Sequence, residues 1–319
     1  MNILLTAIGK RVQLIQHLKK DNYVIGVDSS NLAPAMYFVD SFHKVPRYDE
    51  KDFINELLTI CKLEKVDMLI PLYEKEFFIL CDHRHQFADI GVTLLLSDRE
   101  VIEICNNKSR TYEFFIKNKI QTPLSFSKED VIKAIADKVV TYPLIIKPIS
   151  GMGSQGVFKV KNEKELLFFL EYVEIPVIQE FIEGTEYTID VLCSLEGEVL
   201  SIVPRERLEV RAGEVSKAKT VRHKEIIKET KAVMSRFNNA ESRLKAIGPL
   251  NIQCIVTETN EIKFIEINPR FGGGVPLTFE AGVDYSEMLN QMMLSNTIKP
   301  TIGEFKEITM LRYDGAVFI

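Results

Sequence analysis

The first hundred residues alternate short β-forming runs with amphipathic stretches, and this alternation restricts the fold more than any other feature. The sequence predicts strands at residues 2–7 and 23–28, with a helix at residues 10–20 between them. The same order continues through a helix at 49–62, a strand at 66–72, a helix at 74–87 and a strand at 92–96. Strands and helices in alternation imply a parallel sheet with helices on its faces.

Such a sheet invites comparison with dinucleotide-binding domains, because Gly9 closes the first strand and Asp28 ends the second. The glycine pattern of those domains is absent. Residues 6–11 contain one glycine where the dinucleotide fingerprint needs three. We therefore predict a Rossmann-like support domain that does not bind NAD or FAD.

Beyond residue 98 the pattern changes to two helices, at 98–105 and 108–118, followed by strands joined at glycine turns. The predicted strands lie at 144–148, 157–160, 177–181, 186–195, 199–203, 252–257 and 262–267. Hairpins therefore dominate this half of the chain. The absence of a flexible linker predicts that the domains pack closely.

Composition excludes several classes of protein. The 319 residues include 40 Lys and Arg against 45 Asp and Glu, and a net charge of −5 argues against a protein that coats nucleic acid or membranes. The five cysteines form no CxxC pair, which favours free thiols in a reducing cytosol. No apolar run reaches the ~18 residues that cross a bilayer, and the apolar start is too short for a signal peptide. We predict a cytoplasmic protein with no nucleic-acid or membrane partner.

A strand that carries a lysine leads into a glycine-rich loop. Lys147 lies in the strand, and Gly151, Gly153 and Gly156 follow it. Glycines let successive backbone N–H groups turn toward one anion, and the lysine adds a positive charge beside it. The segment lacks both the GK[ST] ending and the following helix of a Walker A loop. It predicts a phosphate site of another kind, and a glycine-rich hairpin turn with no chemical role is the alternative.

A second group of polar residues lies on the predicted hairpin 252–267. If residues 258–261 form its tip, residues whose numbers sum to 519 face each other, so Gln253 is opposite Glu266. Alternation along the strand puts Asn268 and Arg270 on the same face. One carboxylate and two amide oxygens suit Mg²⁺, and the arginine can stabilise a transferring phosphoryl group. A solvated strand face is the alternative.

Two further segments carry unusual charge. Residues 177–191 predict a strand, an acidic turn and a second strand, for which an ordinary acidic hairpin turn is the alternative. Residues 201–231 contain nine Lys and Arg against five Glu, a local charge of +4 in an acidic chain. We predict that this stretch binds an anionic acyl substrate, with Arg205 and Arg207 as the first candidates. Exposed charges that pair with one another are the alternative.

These segments, in this order and spacing, resemble the ATP-grasp superfamily over essentially the whole chain, and most closely the synthetase units of the carbamoyl-phosphate synthase large subunit. The Asn-Pro-Arg sequence at 268–270, joined to Glu266, is the most specific part of the resemblance. It implies a mixed α/β and α+β fold with a Rossmann-like (pre-ATP-grasp) domain at 1–105, a small mobile lid at 106–182 and a larger C-terminal α+β domain at 183–319. ATP is expected between the lid and the large domain.

The resemblance also implies how ATP is held. Two lysines match family residues that bind the phosphates, namely Lys108 and Lys147. The loop that closes over those phosphates matches Gly151, Gly153, Ser154 and Gly156. The adenine hinge matches Glu180 and the backbone of Phe181 and Ile182, and the acid that binds the ribose matches Glu186.

The remaining matched residues concern the metal and the chemistry. Gln253, Glu266 and Asn268 match the metal ligands, and Arg270 matches the arginine beside the acyl-phosphate. The resemblance therefore implies ATP and Mg²⁺ as cofactors, with Mn²⁺ as a substitute. Lys147 and Arg270 are the implied catalytic residues.

The activity that the resemblance implies is that of an ATP-dependent carboxylate–amine ligase. It forms a C–N bond through an acyl-phosphate and releases ADP and phosphate. Its partners are small carboxylate and amine substrates, and the homodimers frequent among relatives leave self-association as an expectation. Two alternatives stay open: one part of a split carbamoyl-phosphate-synthase-like enzyme, and a non-catalytic ATP-binding sensor.

Overall fold

The chain folds around three β-sheets that follow one another along the sequence. The computed structural model describes residues 1–151, 153, 155–211, 213–238, 244–294 and 298–319. Within these ranges the sheets have five, four and six strands. No helix in the same ranges is both long and apolar enough to cross a membrane. This mixture of a helix-covered parallel sheet and antiparallel sheets confirms the predicted α/β and α+β class.

The first sheet is parallel throughout. Its strands are β1 (Asn2–Thr6), β2 (Tyr23–Asp28), β3 (Ser41–Lys44), β4 (Met68–Pro71) and β5 (Thr93–Leu94), in the spatial order β3-β2-β1-β4-β5. The connections contain α1 (Val12–Leu18), α2 (Phe53–Leu63), α3 (Phe77–Asp82) and α4 (Arg84–Asp89). The alternation of strand and helix is confirmed, because buried parallel strands need crossover helices on both faces.

One helix predicted in this region is wrong, since residues 74–87 do not form a single helix. A 3-10 turn at Glu74–Glu76 precedes α3, and a break at His83 separates α3 from α4. The Nδ1 atom of His83 lies 2.8 Å from the carbonyl oxygen of Ile79. A side chain bonded to that carbonyl competes with the backbone amide that a continuous helix needs there.

The second sheet is antiparallel and follows a helical pair, α5 (Arg99–Asn106) and α6 (Lys108–Lys117). Its strands are β6 (Ser125–Phe126), β7 (Leu144–Pro148), β8 (Phe158–Val160) and β9 (Pro176–Glu180), in the order β6-β9-β7-β8. Helices α7 (Lys128–Ala136) and α8 (Glu163–Tyr172) complete it around a core that includes Val131, Ile146 and Leu166. This unit therefore has a core of its own. Its movement as a lid remains a prediction, and so do the domain limits at 105 and 182.

The third sheet is the largest. Its strands are β10 (Thr185–Cys193), β11 (Val199–Arg211), β12 (Glu214–Thr220), β13 (Gly248–Val256), β14 (Ile262–Asn268) and β15 (Thr309–Leu311), in the order β14-β13-β10-β11-β12-β15. Helices α9 (Lys224–Phe237), α10 (Pro276–Glu280) and α11 (Tyr285–Met293) accompany it. All its strand pairs are antiparallel, as the predicted hairpins require.

Helices α7, α8, α9, α10 and α11 were not predicted from the sequence, although three of them begin with a readable signal. The side chains of Ser127, Asn162 and Asp284 each accept the backbone N–H of the residue three positions later. An acidic residue occupies that later position in all three. A capping residue followed at this spacing by an acid is a typical helix start.

The first and third sheets share one hydrophobic core. Leu5 of β1 and Leu14 of α1 lie in the same buried cluster as Phe271, Val275 and Leu289 from the C-terminal part of the chain. Because protein cores are close-packed, this contact holds the loops after β1 and β4 in a set position against the end of β14.

Candidate active site

A cleft of about 570 Å³ lies where the three sheets meet. Its walls include the loops that follow β1 and β4, strand β7 of the second sheet, and strands β10, β11, β13 and β14 of the third sheet. Ligands of α/β proteins bind at the carboxyl ends of parallel strands, where these two loops lie. The volume is within the roughly 300–1,000 Å³ of small-molecule sites.

The structure brings nearly all of the predicted site residues to this cleft. Those that line it are Lys108, Lys147, Gly151, Gly153, Glu180, Phe181, Ile182, Glu186, Arg205, Arg207, Gln253, Glu266, Asn268 and Arg270. Gly156 instead packs against Pro148, with an added Cβ 3.3 Å from the proline Cδ. Ser154 lies outside the described residues. The roles of these residues remain predictions.

The two lysines lie together at the lid end of the cleft. The backbone N–H of Lys108 donates to the Ile149 carbonyl at 3.0 Å, which joins the start of α6 to the end of β7. The Lys147 Nζ donates to Gln179 Oε1 at 2.8 Å. Burial lowers the pKa of both lysines, and the pKa of Lys147 falls to about 8. An incoming phosphate would raise the pKa of each lysine again and so favour its charged form.

The glycine loop approaches a turn of the large sheet. Gly213, between β11 and β12, has φ +78°, and a Cβ added to it would overlap the carbonyl group of Gly153. Both residues line the cleft. The loop is therefore seated against this turn at the point where the lid meets the large sheet.

Alanine at position 213 should displace the glycine loop. We expect Gly213→Ala to reduce kcat/KM for ATP by about tenfold, because strain at a left-handed residue and the overlap with Gly153 together cost at least about 1–2 kcal/mol. Gly91→Ala is a matched control, since Gly91 has φ +79° but nothing within 4 Å of an added Cβ. Steady-state kinetics on both variants measure the difference. Equal activity of the two variants would show that the contact has no role.

The connection after β9 forms the part of the cleft where the adenine hinge is predicted. Glu180 exchanges two hydrogen bonds with Leu124: its backbone N–H donates to the Leu124 carbonyl at 2.8 Å, and its Oε2 accepts the Leu124 N–H at 3.1 Å. The Lys159 Nζ lies 3.5 Å from the ring centroid of Phe181. These contacts fix the hinge segment whose backbone the resemblance assigns to the base.

The hairpin of β13 and β14 presents the predicted metal ligands. Gln253 pairs with Glu266 and Asn251 with Asn268, so the predicted register is confirmed at this end. A register shift after Gln253 means that the pairs nearer the turn sum to 518. Asn268 Nδ2 donates to Glu266 Oε1 at 3.1 Å, which leaves the amide oxygen of Asn268 available to a cation.

The donor set fits a magnesium ion, since carboxylate and amide oxygens are the hard ligands that it prefers. The described residues contain no group of three or more His, Cys, Asp or Glu side chains suited to a metal. A cation here would therefore depend on one carboxylate, Glu266, together with the amides of Gln253 and Asn268. Further ligands would come from phosphate oxygens and water.

Arg270 follows β14 and is held by a residue that the sequence pattern did not identify. Its Nε lies 2.6 Å from Glu74 Oε1, and its Nη1 donates to the Phe271 carbonyl at 3.0 Å. Glu74 belongs to the 3-10 turn after β4 and lies 196 positions earlier in the chain. This ion pair between the first and third sheets orients the guanidinium within the cleft.

The two arginines predicted for the substrate lie within a strand, and exposed charges on a loop, their predicted alternative, are excluded. β11 continues to Arg211, so the strand predicted at 199–203 is too short. Arg205 is 1% exposed, and its Nε and Nη2 donate to the two carboxylate oxygens of Asp190 at 2.7 and 2.9 Å. The Arg207 Nε lies 3.1 Å from Glu186, the acid predicted to bind ribose.

Several polar residues of the cleft were missed because their partners are distant in sequence. They are Arg11, Glu74, Gln179, Glu214 and Arg312 in the cleft wall and Asp190 beneath it. Gln179, for example, lies between Ile178 and Glu180 in β9, so no alternating apolar pattern marks it in the sequence.

Comparison with known proteins agrees with this geometry. The sequence model of the family described as "ATP-grasp domain" matches residues 105–274, and that described as "PylC-like, N-terminal domain" matches residues 3–95. The arginine-specific large chain of carbamoyl phosphate synthase from Halalkalibacterium halodurans is 26% identical over 247 residues, 73% of this chain and 23% of that relative. This chain thus spans about a quarter of the length of that relative.

A shorter relative and two solved structures extend the comparison. The alpha-aminoadipate–LysW ligase LysX of Sulfurisphaera tokodaii is 26% identical over 180 residues, 46% of this chain and 61% of the relative. N5-carboxyaminoimidazole synthetase from Staphylococcus aureus, solved with ADP, has a TM-score of 0.73 at 17% identity and covers 94% of this chain and 78% of its own. L-amino acid ligase from Bacillus licheniformis has a TM-score of 0.67 at 20% identity, with 97% and 78% covered. The chain belongs to the ATP-grasp family.

Proposed function

We propose that this protein is an ATP-dependent ligase that activates a carboxylate as an acyl-phosphate and joins it to an amine, with release of ADP and phosphate. The observation that carries the proposal is that Lys108, Lys147, Glu266, Asn268 and Arg270 line one cleft between the lid and the large sheet. The names of two relatives, an alpha-aminoadipate–LysW ligase and an L-amino acid ligase, support the same reaction class.

The proposed first step is attack of a carboxylate oxygen on the γ-phosphorus of ATP. The bond between that phosphorus and the bridging oxygen breaks, and ADP leaves. Phosphoryl transfer needs little covalent help from a protein and much neutralisation of charge. Lys108 and Lys147 would neutralise the phosphates, and Arg270, held by Glu74, would stabilise charge on the group in transfer.

In the proposed second step an amine nitrogen attacks the carbonyl carbon, and the carbon–oxygen bond to phosphate breaks. An acyl-phosphate reacts readily with water, so the intermediate must be shielded. The close approach of Gly153 to Gly213 supports a role for the glycine loop in shielding the intermediate from water.

The proposal includes Mg²⁺ as the cofactor, with Mn²⁺ as a substitute, held by Gln253, Glu266 and Asn268. When bound, the ion would neutralise phosphate charge and orient the phosphates. The five cysteines, Cys61, Cys81, Cys105, Cys193 and Cys254, are all free, which supports the reducing cytoplasm as the compartment. A small-molecule acid and amine are the proposed substrates, and a homodimer is the proposed assembly.

The test is ADP release with a panel of carboxylates, amines and Mg²⁺. We expect release that requires an acid and increases when the correct amine is added. ATP binding by calorimetry without release from any acid would favour a sensor and overturn the ligase. One part of a split synthetase is a second candidate, supported by the quarter-length match to the large chain. For that candidate, bicarbonate and ammonia would be the active pair, and activity would need a co-purifying partner.

Lys147 predicts a pH dependence for this reaction. Burial lowers its pKa to about 8, so the side chain loses its positive charge as the pH rises through 8. We expect kcat/KM for ATP to fall above that pH in the free enzyme, and kcat to persist to higher pH because bound phosphate raises the pKa. In whatever activity it retains, Lys147→Arg should show no such decrease of kcat/KM at high pH, since arginine stays protonated. A wild-type profile of kcat/KM that is flat to about pH 9.5 would contradict the assignment.

A further inference from the structure

Beyond Arg270, two arginines reach the glycine segment 272–274 that follows β14. A Cβ added to Gly274 would overlap the Arg205 Nη1, and one added to Gly273 would lie 3.7 Å from the Arg11 Nη1. Arg205 comes from the large sheet and Arg11 from the loop after β1. The segment thus brings guanidinium groups from two sheets to one part of the cleft wall, and any side chain at 274 would displace Arg205.

Arg205 has one nitrogen that the protein does not use. Its Nε and Nη2 are bound by Asp190, which also accepts Asn251 Nδ2 at 3.0 Å and Thr278 Oγ1 at 2.6 Å. The Nη1 has no hydrogen-bond partner among the described residues, although the side chain is 1% exposed. Buried donors are nearly always bonded, so an unpartnered guanidinium nitrogen at the cleft wall points to a ligand.

Arg11, unlike Arg205, has no anionic partner among the described residues. Its side chain makes no hydrogen bond or ion pair with the part of the chain that the structure describes. Burial and the neighbouring Arg270 lower its pKa to about 10, so it remains charged at neutral pH. The nearby arginines are occupied, Arg270 by Glu74 and Arg312 by Glu214.

The charges around the segment do not balance. Arg205 pairs with Asp190, Arg270 with Glu74 and Arg312 with Glu214, so three of the four arginines there have an anion and Arg11 has none among the described residues. Lys10 lies 3.5 Å from Glu214 and is 72% exposed, so water screens its charge. Arg270 is proposed to meet the phosphoryl group in transfer, and Lys108 and Lys147 the phosphates of ATP. A further anionic group on the acid substrate would neutralise Arg11.

We propose that the acid substrate carries a second oxyanion, which Arg11 and the Nη1 of Arg205 bind at residues 272–274. The inference rests on the proposed ligase function and deepens it, because it states the substrate class: acids with a further carboxylate or phosphate group. The forked guanidinium of Arg11 matches either oxyanion, and the locked Arg205 contributes fixed donors. Arg11 is then a determinant of substrate specificity.

The experiment compares acids with their neutral isosteres in the ADP-release assay. Glutamate with glutamine and aspartate with asparagine report a second carboxylate, and O-phosphoserine with serine reports a phosphate. We expect the best acid to be dianionic, with kcat/KM about 30-fold above its isostere. Arg11→Gln should reduce that ratio below about fivefold and leave KM for ATP unchanged within about twofold. Arg11→Lys should give an intermediate ratio, since it keeps the charge but loses the fork.

The control is Arg47→Gln, an exposed arginine in the loop after β3, which should keep the full ratio. Arg205 is not substituted, because its loss would leave Asp190 buried without a partner. The inference is overturned if the best acid is a monoanion, or if Arg11→Gln lowers both members of a pair equally. Either result would overturn the second-oxyanion inference and leave the proposed ligase function intact.

A binding readout covers the case in which no acid is turned over. Sulfate is titrated into protein saturated with a non-hydrolysable ATP analogue and Mg²⁺, so that the phosphate site is filled. We expect a saturable rise in Tm for the wild type and less than about half that rise for Arg11→Gln. Equal rises would overturn the anion site, whereas absent ADP release with a normal sulfate response would overturn only the ligase function.

Discussion

Replacing Glu266 by glutamine is expected to reduce ADP formation by about 10³-fold, the largest effect of any single change considered. Glu266 is the one carboxylate of the proposed cation site and faces Gln253 across the hairpin. Its loss leaves only amide ligands, which bind a hard divalent cation weakly. Loss of a group that neutralises charge in the transition state typically costs about 10²–10³ in rate, and weakened metal affinity adds to that cost.

The measurement is ADP release over a Mg²⁺ titration, with Glu261→Gln as the matched control. Glu261 lies just before the same strand, and its carboxylate is exposed and pairs with Lys263 at 3.7 Å. We expect the control to retain wild-type activity and the Glu266 variant to need a higher magnesium concentration. Activity of Glu266→Gln within about tenfold of wild type would remove this residue from the metal site.

Arg270→Met should lower kcat by about 10²–10³ and leave KM for ATP within about threefold. The guanidinium is held by Glu74 and is proposed to meet charge that develops only during transfer. An interaction made only in the transition state affects kcat and kcat/KM together, without weakening substrate binding. Single-turnover ADP formation at saturating ATP measures this effect directly.

Arg222 offers the control for a change of arginine to methionine. It is exposed and, like Arg270, donates to a backbone carbonyl, that of Phe305 at 2.8 Å, but does not line the cleft. Arg222→Met should retain kcat within about threefold, with any loss confined to stability. If both variants lose kcat equally, or if Arg270→Met raises KM alone, the proposed role of Arg270 would be wrong.

Local patterns in the sequence predict part of the site. The Lys147 strand and its glycine loop are adjacent in the chain, and the position assumed for the hairpin turn sets Gln253 opposite Glu266, with alternation giving their common face. The parallel first sheet is also predictable, because its strands alternate with crossover helices except between β2 and β3, which a 3-10 turn connects. Local errors, such as the break at His83, arise where a side chain competes with the backbone.

Contacts between distant segments lie beyond what the sequence predicts. Arg205 has the pattern of an exposed loop residue or a free ligand for the substrate, but the structure shows it buried against Asp190 with one nitrogen left over. Neither Arg11 nor Glu74 stands out in the sequence. Glu74 is identified only by its ion pair with Arg270, and Arg11 only by its position beside the glycine segment. Burial decides whether such a charge is solvated, paired or reserved for a ligand.

The sequence alone therefore determined the alternation of strands and helices in the first sheet, the position of the glycine loop and the polar face of the hairpin, since these depend on spacing within a few residues. The tertiary structure decided which charges neutralise one another and which are left to a ligand. The physical reason is that electrostatic energies depend on distance and on burial, and both are set by the packing of the first sheet against the third.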